Sequence, residues 1–432
     1  MGMRQEGRLT AARRPRICIS SFAPGYGGLQ SVTASLCRFL VRKGFDVTIV
    51  YLDRPVSLRQ VPAYLFRARP RAGISDDIRT IAVDHMSHIV ALRYILPALK
   101  LRRMLRGFDI YHAVRGANLG ESLFALNRLP YLDWVATTVS EELRSIGEAW
   151  NLITYRDRMD TGIADRLRGR SLGGHIVWTI NQALYPILLL QERWMLQKAA
   201  AVHGISRYVS SQIQSAYGID ACKVGTIHLP VDLEIFSPGS ASPRFGGSRY
   251  FLFVGRVDDP RKNLGLLLEG FAIARRQIPD VLLILVGPTE DPARLERKTR
   301  ELGIEAAVRP LGGVALAELV QLYRGAEAVV LSSRQEGFGM VLCEAMACGT
   351  PVVSTRCGGP EEIILHGETG FLVPSDNAGA LADAMRILWE DKELRAQMGK
   401  RAREEASTRF STDTIGAQIL AAYQRLYPHL FG

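Results

Sequence analysis

Two glutamates, Glu336 and Glu344, stand eight positions apart in the stretch RQEGFGMVLCEAMACGTPVVSTRCGG, residues 334–359. Between them Gly337-Phe338-Gly339 opens directly onto a helix-forming run. Glycines let backbone N–H groups approach a phosphate, and a helix N-terminus favours its negative charge. One carboxylate can accept hydrogen bonds from sugar hydroxyls. The other, Glu344, is i+4 from Met340 and so one turn into the helix, where it can accept from a ribose diol. Together these groups are able to hold a sugar nucleotide. Taken alone, Glu344 reads as well as an ordinary surface glutamate; the glycine turn, the helix start and the following apolar run VVST favour the site.

A second element is Gly255-Arg256-Val-Asp-Asp-Pro-Arg261-Lys262-Asn263, which joins a strand-like run to a helix-like one. Arg256 and Lys262 can flank a diphosphate and stabilise the charge that builds on a departing nucleotide. Each cation singly reads as a solvated loop residue. A third element is Pro24-Gly25-Tyr26-Gly27-Gly28, where Gly27 and Gly28 would let backbone approach the donor or the reacting acceptor. Glycine there also serves a tight turn for purely steric reasons.

The elements that must position these groups follow from periodicity. Residues 16–22 read as an apolar strand, 29–44 as an amphipathic helix, 45–51 as a strand and 109–114 as a later strand. Strand, glycine turn, helix and strand make a βαβ unit of a parallel sheet. From Tyr250 onward the alternation is cleaner, with strands expected at 250–255, 281–287, 308–311, 328–332, 351–354 and 370–373 and helices between them. The expected fold class is therefore α/β, with two Rossmann-like, doubly wound domains facing across a cleft and ligand at the carboxyl ends of the strands. The expected organisation is a disordered basic tail at 1–15, an acceptor-binding domain at 16–238 and a donor-binding domain at 239–410. A C-terminal helix at 411–432 would be long enough to cross back to the first domain. The boundary is set at Ser237-Pro-Gly-Ser-Ala-Ser-Pro243, a Pro/Gly/Ser stretch.

On these residues the chain resembles the retaining GT-B glycosyltransferases of family 4. The hallmark EGFG…EAMACGTPVV…GG stands as Glu336 to Gly339, Glu344 to Val353, and Gly358-Gly359. The family's Gly-Arg…Lys-Asn element stands as Gly255, Arg256, Lys262 and Asn263, and its first-domain glycine turn as Gly27 to Gln30. The resemblance is specific over residues 250–375, looser over 15–55 and 195–240, and faint between. It implies that Arg256 and Lys262 bind the donor diphosphate, that Glu344 holds the ribose and that Glu336 contacts donor-sugar hydroxyls. It implies that Phe338-Gly339 backbone meets the sugar or phosphate and that Glu362, in GGPEEII, lies near the nucleotide. It further implies retention by a front-face route, in which the leaving diphosphate helps deprotonate the acceptor. No carboxylate stands out as a covalent nucleophile.

Two departures accompany it. The family's second histidine in the strand DVVHAH is absent from Asp109-Ile-Tyr-His112-Ala-Val114, which leaves His112 as an acceptor-side candidate against the alternative of a core histidine. The family's PNGVD reads Leu229-Pro-Val-Asp232. No Asp-x-Asp metal motif accompanies the diphosphate residues; Asp258-Asp259 reads as turn chemistry, and no divalent metal or other cofactor is expected.

Of 432 residues, 47% are hydrophobic and 22% charged, which suits two folded cores and excludes wholesale disorder. The net charge of +11 is concentrated: residues 1–110 carry 19 Lys and Arg against 7 Asp and Glu, and the rest is balanced. A local basic surface suits an anionic membrane, a lipid phosphate or nucleic acid, or is simply solvated. No nucleic-acid recognition motif is present, so no nucleic-acid partner is expected. Six cysteines lack framework or zinc spacing, and most sit in apolar runs and read as small core residues in a reducing compartment. Residues 87–106, apolar with Lys100, Arg102, Arg103 and Arg106 behind, and 175–190 could lie on an anionic membrane surface or be buried helices. The expectation is a cytoplasmic glycosyltransferase, peripheral on the inner face of a membrane, using a UDP-, GDP- or ADP-sugar and a lipid-linked or glycan acceptor. The rival is a non-catalytic nucleotide-sugar-binding scaffold. A pyridoxal-type phosphorylase would need a cofactor lysine and greater length, and an epimerase a facing carboxylate pair.

Overall fold

The computed structural model describes residues 13–21, 28–55, 70–75, 78–85, 95–116, 120–141, 186–241, 244–245 and 247–431. The chain divides into two compact units, residues 1–227 with 416–432, and residues 228–415.

Among the described residues, the first unit carries eight strands: β1 (Arg16–Ser20), β2 (Asp46–Pro55), β3 (Arg71–Ser75), β4 (Ile78–His85), β5 (Ile110–Arg115), β6 (Leu132–Val135), β7 (Ala201–Gly204) and β8 (Val224–Thr226). Their order across the sheet is β3-β4-β2-β1-β5-β6-β7-β8. Among the described strands, only the β3–β4 pair is antiparallel. β1 pairs with β2 on one side and β5 on the other, so the strand order reverses at β1/β5. Beyond β1 lies the glycine turn, of which Phe22 to Gly27 lie outside the described residues; Gly28 begins the helix Gly28–Arg42. The expected disordered tail is corrected at its end. Pro15 accepts the Asp46 N–H at 2.9 Å just ahead of β1, and the exposed Arg13 side chain pairs with Asp109 at 3.0 Å, so residues 13–15 lie beside the sheet.

The second unit carries β9 (Tyr250–Val254), β10 (Leu282–Val286), β11 (Val308–Gly312), β12 (Ala328–Leu331), β13 (Val352–Thr355) and β14 (Gly370–Val373). The order β11-β10-β9-β12-β13-β14 is parallel throughout and is that of a doubly wound nucleotide-binding sheet, reversing at β9/β12. Its strands read as continuous apolar runs because helices cover both faces; Phe251, Phe253, Leu283, Leu285 and Val330 sit with Phe271, Leu381 and Met385 in one core.

The division falls at Ile227/His228, before the Pro/Gly/Ser stretch expected to mark it. Residues 228–236 are fastened to the second unit. Val231 donates to the Phe410 carbonyl at 2.7 Å, and Arg403 donates to the Phe236 carbonyl at 2.9 Å. Residues 416–432 group with the first unit, where Tyr427 donates to the Pro130 carbonyl at 2.8 Å.

The first unit has an ionic core. Arg115, at the end of β5, is fully buried with Asp133 at 3.1 Å, Glu121 at 3.1 Å and Glu192 at 2.7 Å. Three carboxylates around one guanidinium cannot all ionise in a dry site. Burial pushes the Asp133 carboxyl up to about 6 and that of Glu121 well above its ordinary range, against the pull of Arg115.

Candidate functional site

The candidate donor residues converge at the carboxyl edge of the second sheet, where β9 and β12 diverge. Two loops build the site. The one after β9 carries Arg256 to Asn263, with Asp259 capping the short 3-10 turn Pro260–Lys262. The one after β12 carries Ser332 to Gly339. They are stitched together: Ser332 donates to the Lys262 carbonyl at 2.8 Å, and Arg334 N–H to the Arg261 carbonyl at 2.8 Å. This places Lys262 Nζ on Glu336 Oε2 as an ion pair, each side chain about one-fifth exposed.

Arg256 is mostly exposed and turns back on Asp259 at 3.0 Å. Burial works to raise the Asp259 carboxyl, but hydrogen bonds from Arg261 and the charge of Arg256 hold it below its usual range. Asp258 accepts from the Glu290 and Asp291 backbone N–H groups. Both aspartates therefore act in loop structure. Among the described residues, no group of three His, Cys, Asp or Glu side chains is placed to hold a metal ion.

Gly339 sits at φ 105° as the N-cap of the helix Met340–Ala347, with no side chain capping it. Leu342 N–H donates to the Gly339 carbonyl at 2.9 Å, which leaves the N–H groups of Met340 and Val341 as the first-turn donors for an anion. Glu344 projects from its second turn, and its Oε2 accepts the Tyr323 hydroxyl at 2.7 Å. Burial raises the Glu344 carboxyl above its ordinary value, partly countered by that hydrogen bond. Gly358-Gly359 lies against the glycine turn: Glu336 N–H donates to the Cys357 carbonyl at 3.0 Å, and Gly359 N–H to the Glu336 carbonyl at 2.8 Å. A Cβ on Gly359 would stand 2.3 Å from Phe338 Cα, so only glycine fits. Phe338 is buried, and Glu362 meets His228 Nε2 at 3.1 Å.

The structure thus places Arg256 and Lys262 on the β9 loop and Glu336, Phe338 and Gly339 on the β12 loop bonded to it, with Glu344 on the helix Met340–Ala347 that this loop opens onto and Glu362 on the short helix Pro360–Ile363. Gly27 lies outside the described residues, and Gly28 is the first residue of its helix at φ 30°. His112, the acceptor-side candidate or core histidine, is fully buried on β5, sharing a hydrogen bond with Tyr423 at 2.6 Å and packed on Trp134. Sequence reasoning did not single out Tyr323 or His228. Neither lies in a glycine turn or beside a motif glutamate, and both act through contacts across 21 and 134 positions of chain.

Of the two segments read as surface helices, 87–106 and 175–190, residues 87–94 and 175–185 lie outside the described residues. Ile95–Leu105 is a helix that leaves Leu99 and Met104 exposed, and residues 186–198 form another that exposes Ile187, Leu190 and Trp194. Among the described residues, no helix is long and apolar enough to cross a membrane. Five cysteines are buried and Cys222 is exposed, all with free thiols.

Comparison with known families accords with this geometry. The profile of the glycosyl transferases group 1 matches residues 240–405, and that of glycosyltransferase family 4 matches residues 26–235. The chain belongs to the group 1 GT-B glycosyltransferases. A D-inositol 3-phosphate glycosyltransferase of Corynebacterium glutamicum is 35% identical over 222 residues, 48% of this chain and 53% of that protein. One from Kribbella flavida is 32% identical over 254 residues, 55% and 59% of the two chains. The match therefore spans little more than half the length of these relatives. In fold, the chain is similar to a sucrose-phosphate synthase from Thermosynechococcus elongatus, with TM-score 0.72, 21% identity and coverage of 96% of this chain and 100% of that one. It is also similar to Anabaena HepE, solved with UDP and glucose, with TM-score 0.70, 19% identity and coverage of 95% and 100%.

Proposed function

We propose that this protein transfers a sugar from a nucleoside-diphosphate sugar to a hydroxyl acceptor, with retention at the anomeric carbon. The observation that carries the reading is the Lys262–Glu336 pair, on the loop that opens onto the helix Met340–Ala347, with Glu344 on that helix. A diphosphate at the helix N-terminus would draw Lys262 to itself and release Glu336 to accept from the sugar hydroxyls. Arg256 and Lys262 would then stabilise the departing diphosphate, whose own oxygen would take the acceptor proton. These two cations supply the charge that a metal supplies in other transferases, so transfer should need no added divalent ion. The HepE structures with UDP and with UDP-glucose support a uridine donor as the first to test.

For the acceptor we favour a lipid-linked or cell-envelope glycan at a membrane surface, with the protein attached peripherally. Support comes from the basic first quarter of the chain and from Leu99, Met104, Arg102 and Arg103, exposed on the helix Ile95–Leu105. A second reading, a small phosphorylated polyol, is favoured by the relatives named for D-inositol 3-phosphate.

The test is a thermal-shift screen of UDP, GDP, ADP and their sugars, with and without Mg²⁺, followed by transfer to a membrane lipid extract or to inositol 3-phosphate. A ligand that binds the folded state alone raises its melting temperature. One nucleotide should give a shift that Mg²⁺ does not change, and Lys262→Ala and Glu344→Ala should each lose about 100-fold in transfer while melting near the wild type. Near-normal turnover in both variants would sink the site assignment, and binding without turnover on any acceptor would favour the scaffold reading.

A further inference from the structure

The chain enters the second unit at His228 and leaves it at Ile415, and both crossing segments meet at Phe338. His228, Phe338 and Phe410 form a closed aromatic triangle. The His228 imidazole stacks on Phe338 at 5.4 Å with 23° between planes, and meets the edge of Phe410 at 5.6 Å. Phe338 and Phe410 are 5.7 Å apart, edge to face. The triangle has a polar side. His228 Nε2 meets Glu362 Oε2 at 3.1 Å, while Arg409 donates to the Glu362 carbonyl at 2.6 Å and stacks over Phe410.

We propose that His228 is a positioning residue of the donor site, holding the Phe338 turn and the Glu362 carboxylate at one spacing. The proposal rests on the donor-site reading above. One side chain is asked for two things: a flat face for Phe338 and an N–H for Glu362. Phenylalanine could supply only the first and glutamine only the second, whereas imidazole supplies both. The two loops it joins are already bonded through backbone, Glu336 to Cys357 and Gly359 to Glu336, so a shift at Glu362 reaches the turn that opens onto the helix N-terminus. His228 touches no reacting atom in this account; it acts through Phe338 and Glu362.

The experiment is calorimetric titration of the full chain and of His228→Phe, His228→Gln and His228→Ala with UDP, GDP and ADP, with melting temperatures measured alongside. His228→Ala should bind the preferred nucleotide about tenfold or more weakly, the usual worth of a hydrogen bond to a charged group. His228→Gln should recover most of that affinity. His228→Phe should melt near the wild type yet bind as weakly as His228→Ala, which a purely structural role would not produce. Wild-type affinity in His228→Phe or in His228→Ala overturns the proposal, as does failure of His228→Gln to restore binding. No nucleotide binding by the wild-type chain removes the donor site and this inference with it. Binding that Glu344→Ala abolishes and the His228 variants leave unchanged removes this inference alone.

Discussion

At the scale of single residues, the donor side is a set of charges already committed to protein partners. Lys262 is paired with Glu336, Arg256 with Asp259, and Glu344 with the Tyr323 hydroxyl. Pairing keeps partly buried charges from the cost of standing alone, and it fixes each rotamer before any ligand arrives. Tyr323 makes the point most cleanly. Its ring is fully buried, and its backbone carbonyl accepts from Thr350 at 2.6 Å, so the phenol is held from both ends. Tyr323→Phe removes one oxygen and nothing else. Nucleotide affinity should fall about threefold to tenfold, the worth of one hydrogen bond to a carboxylate that must be preset, with the melting temperature changed by only a few degrees. Titration of the variant with the nucleotide the wild type prefers decides it; equal affinity would mean that Glu344 needs no help in pointing.

At the scale of elements, the site depends on two loops that approach closer than any side chain would allow. Gly359 is the point of contact: beside the 2.3 Å approach to Phe338 Cα, a Cβ there would meet Phe338 N at 2.5 Å and the Gly337 carbonyl at 2.6 Å. These are backbone atoms, which cannot rotate away. Gly359→Ala should therefore cost roughly 1–3 kcal/mol, lower the melting temperature by roughly 2–10 °C and weaken nucleotide binding, because the Phe338 turn must shift to admit the methyl. A melting temperature within about a degree of the wild type would show that the loops are not in contact as described.

The same scale explains what could be read from the chain alone. All six strands of the second unit were expected within a residue or two, because each is a short apolar run closed by glycine, proline or serine and separated by a helix of the right length. In the first unit only β1, β2 and β5 were foreseen. β6 is LDWV, β7 AVHG and β8 VGT, runs too short and too mixed in polarity to show a period, and β3 is an exposed hairpin edge. The site was legible where motif residues are close in sequence, as with Glu336, Gly339 and Glu344. It was not legible where a side chain works across the fold, as with Tyr323 and His228. His112 has the ambiguous pattern of any strand histidine, and its burial on Trp134 is nothing that pattern announces.

At the scale of the whole molecule, the first unit sets two kinds of buried titratable group against each other. Among the described residues it holds two buried histidines: burial lowers His112 to about 3, with His203 adding to the effect, and lowers His203 to about 4, with Arg425 adding to it. The groups around His112 are Tyr423, Trp134 and His203, none of which offers a negative charge to stabilise an imidazolium. Unfolded, these histidines would titrate near 6.5. A depressed folded value means that the unfolded chain binds the proton first, so their contribution is complete above pH ~6.5 and is lost as pH falls towards the folded values. Asp133 works in the opposite sense. Its folded value, raised to about 6, makes the unit more stable as pH falls through that value, because the native state then keeps a proton the unfolded chain would release. Glu121, raised well above its ordinary range, acts in the same sense as Asp133, so between pH ~6 and pH ~4.5 two carboxyls add stability while the two histidines lose it. Two groups against two leave little net change, and the first unit should hold in mild acid until a carboxyl is removed. Hydrogen exchange followed by mass spectrometry at pH 7 and pH 5, with rates corrected for intrinsic pH dependence, resolves the two units. Protection at β5, β6 and β7 should change little in the wild type and should fall at pH 5 in Asp133→Asn, which no longer takes up the compensating proton. A wild-type first unit that loosens at pH 5, or an Asp133→Asn variant that does not, would mean that the buried carboxyls and imidazoles do not balance.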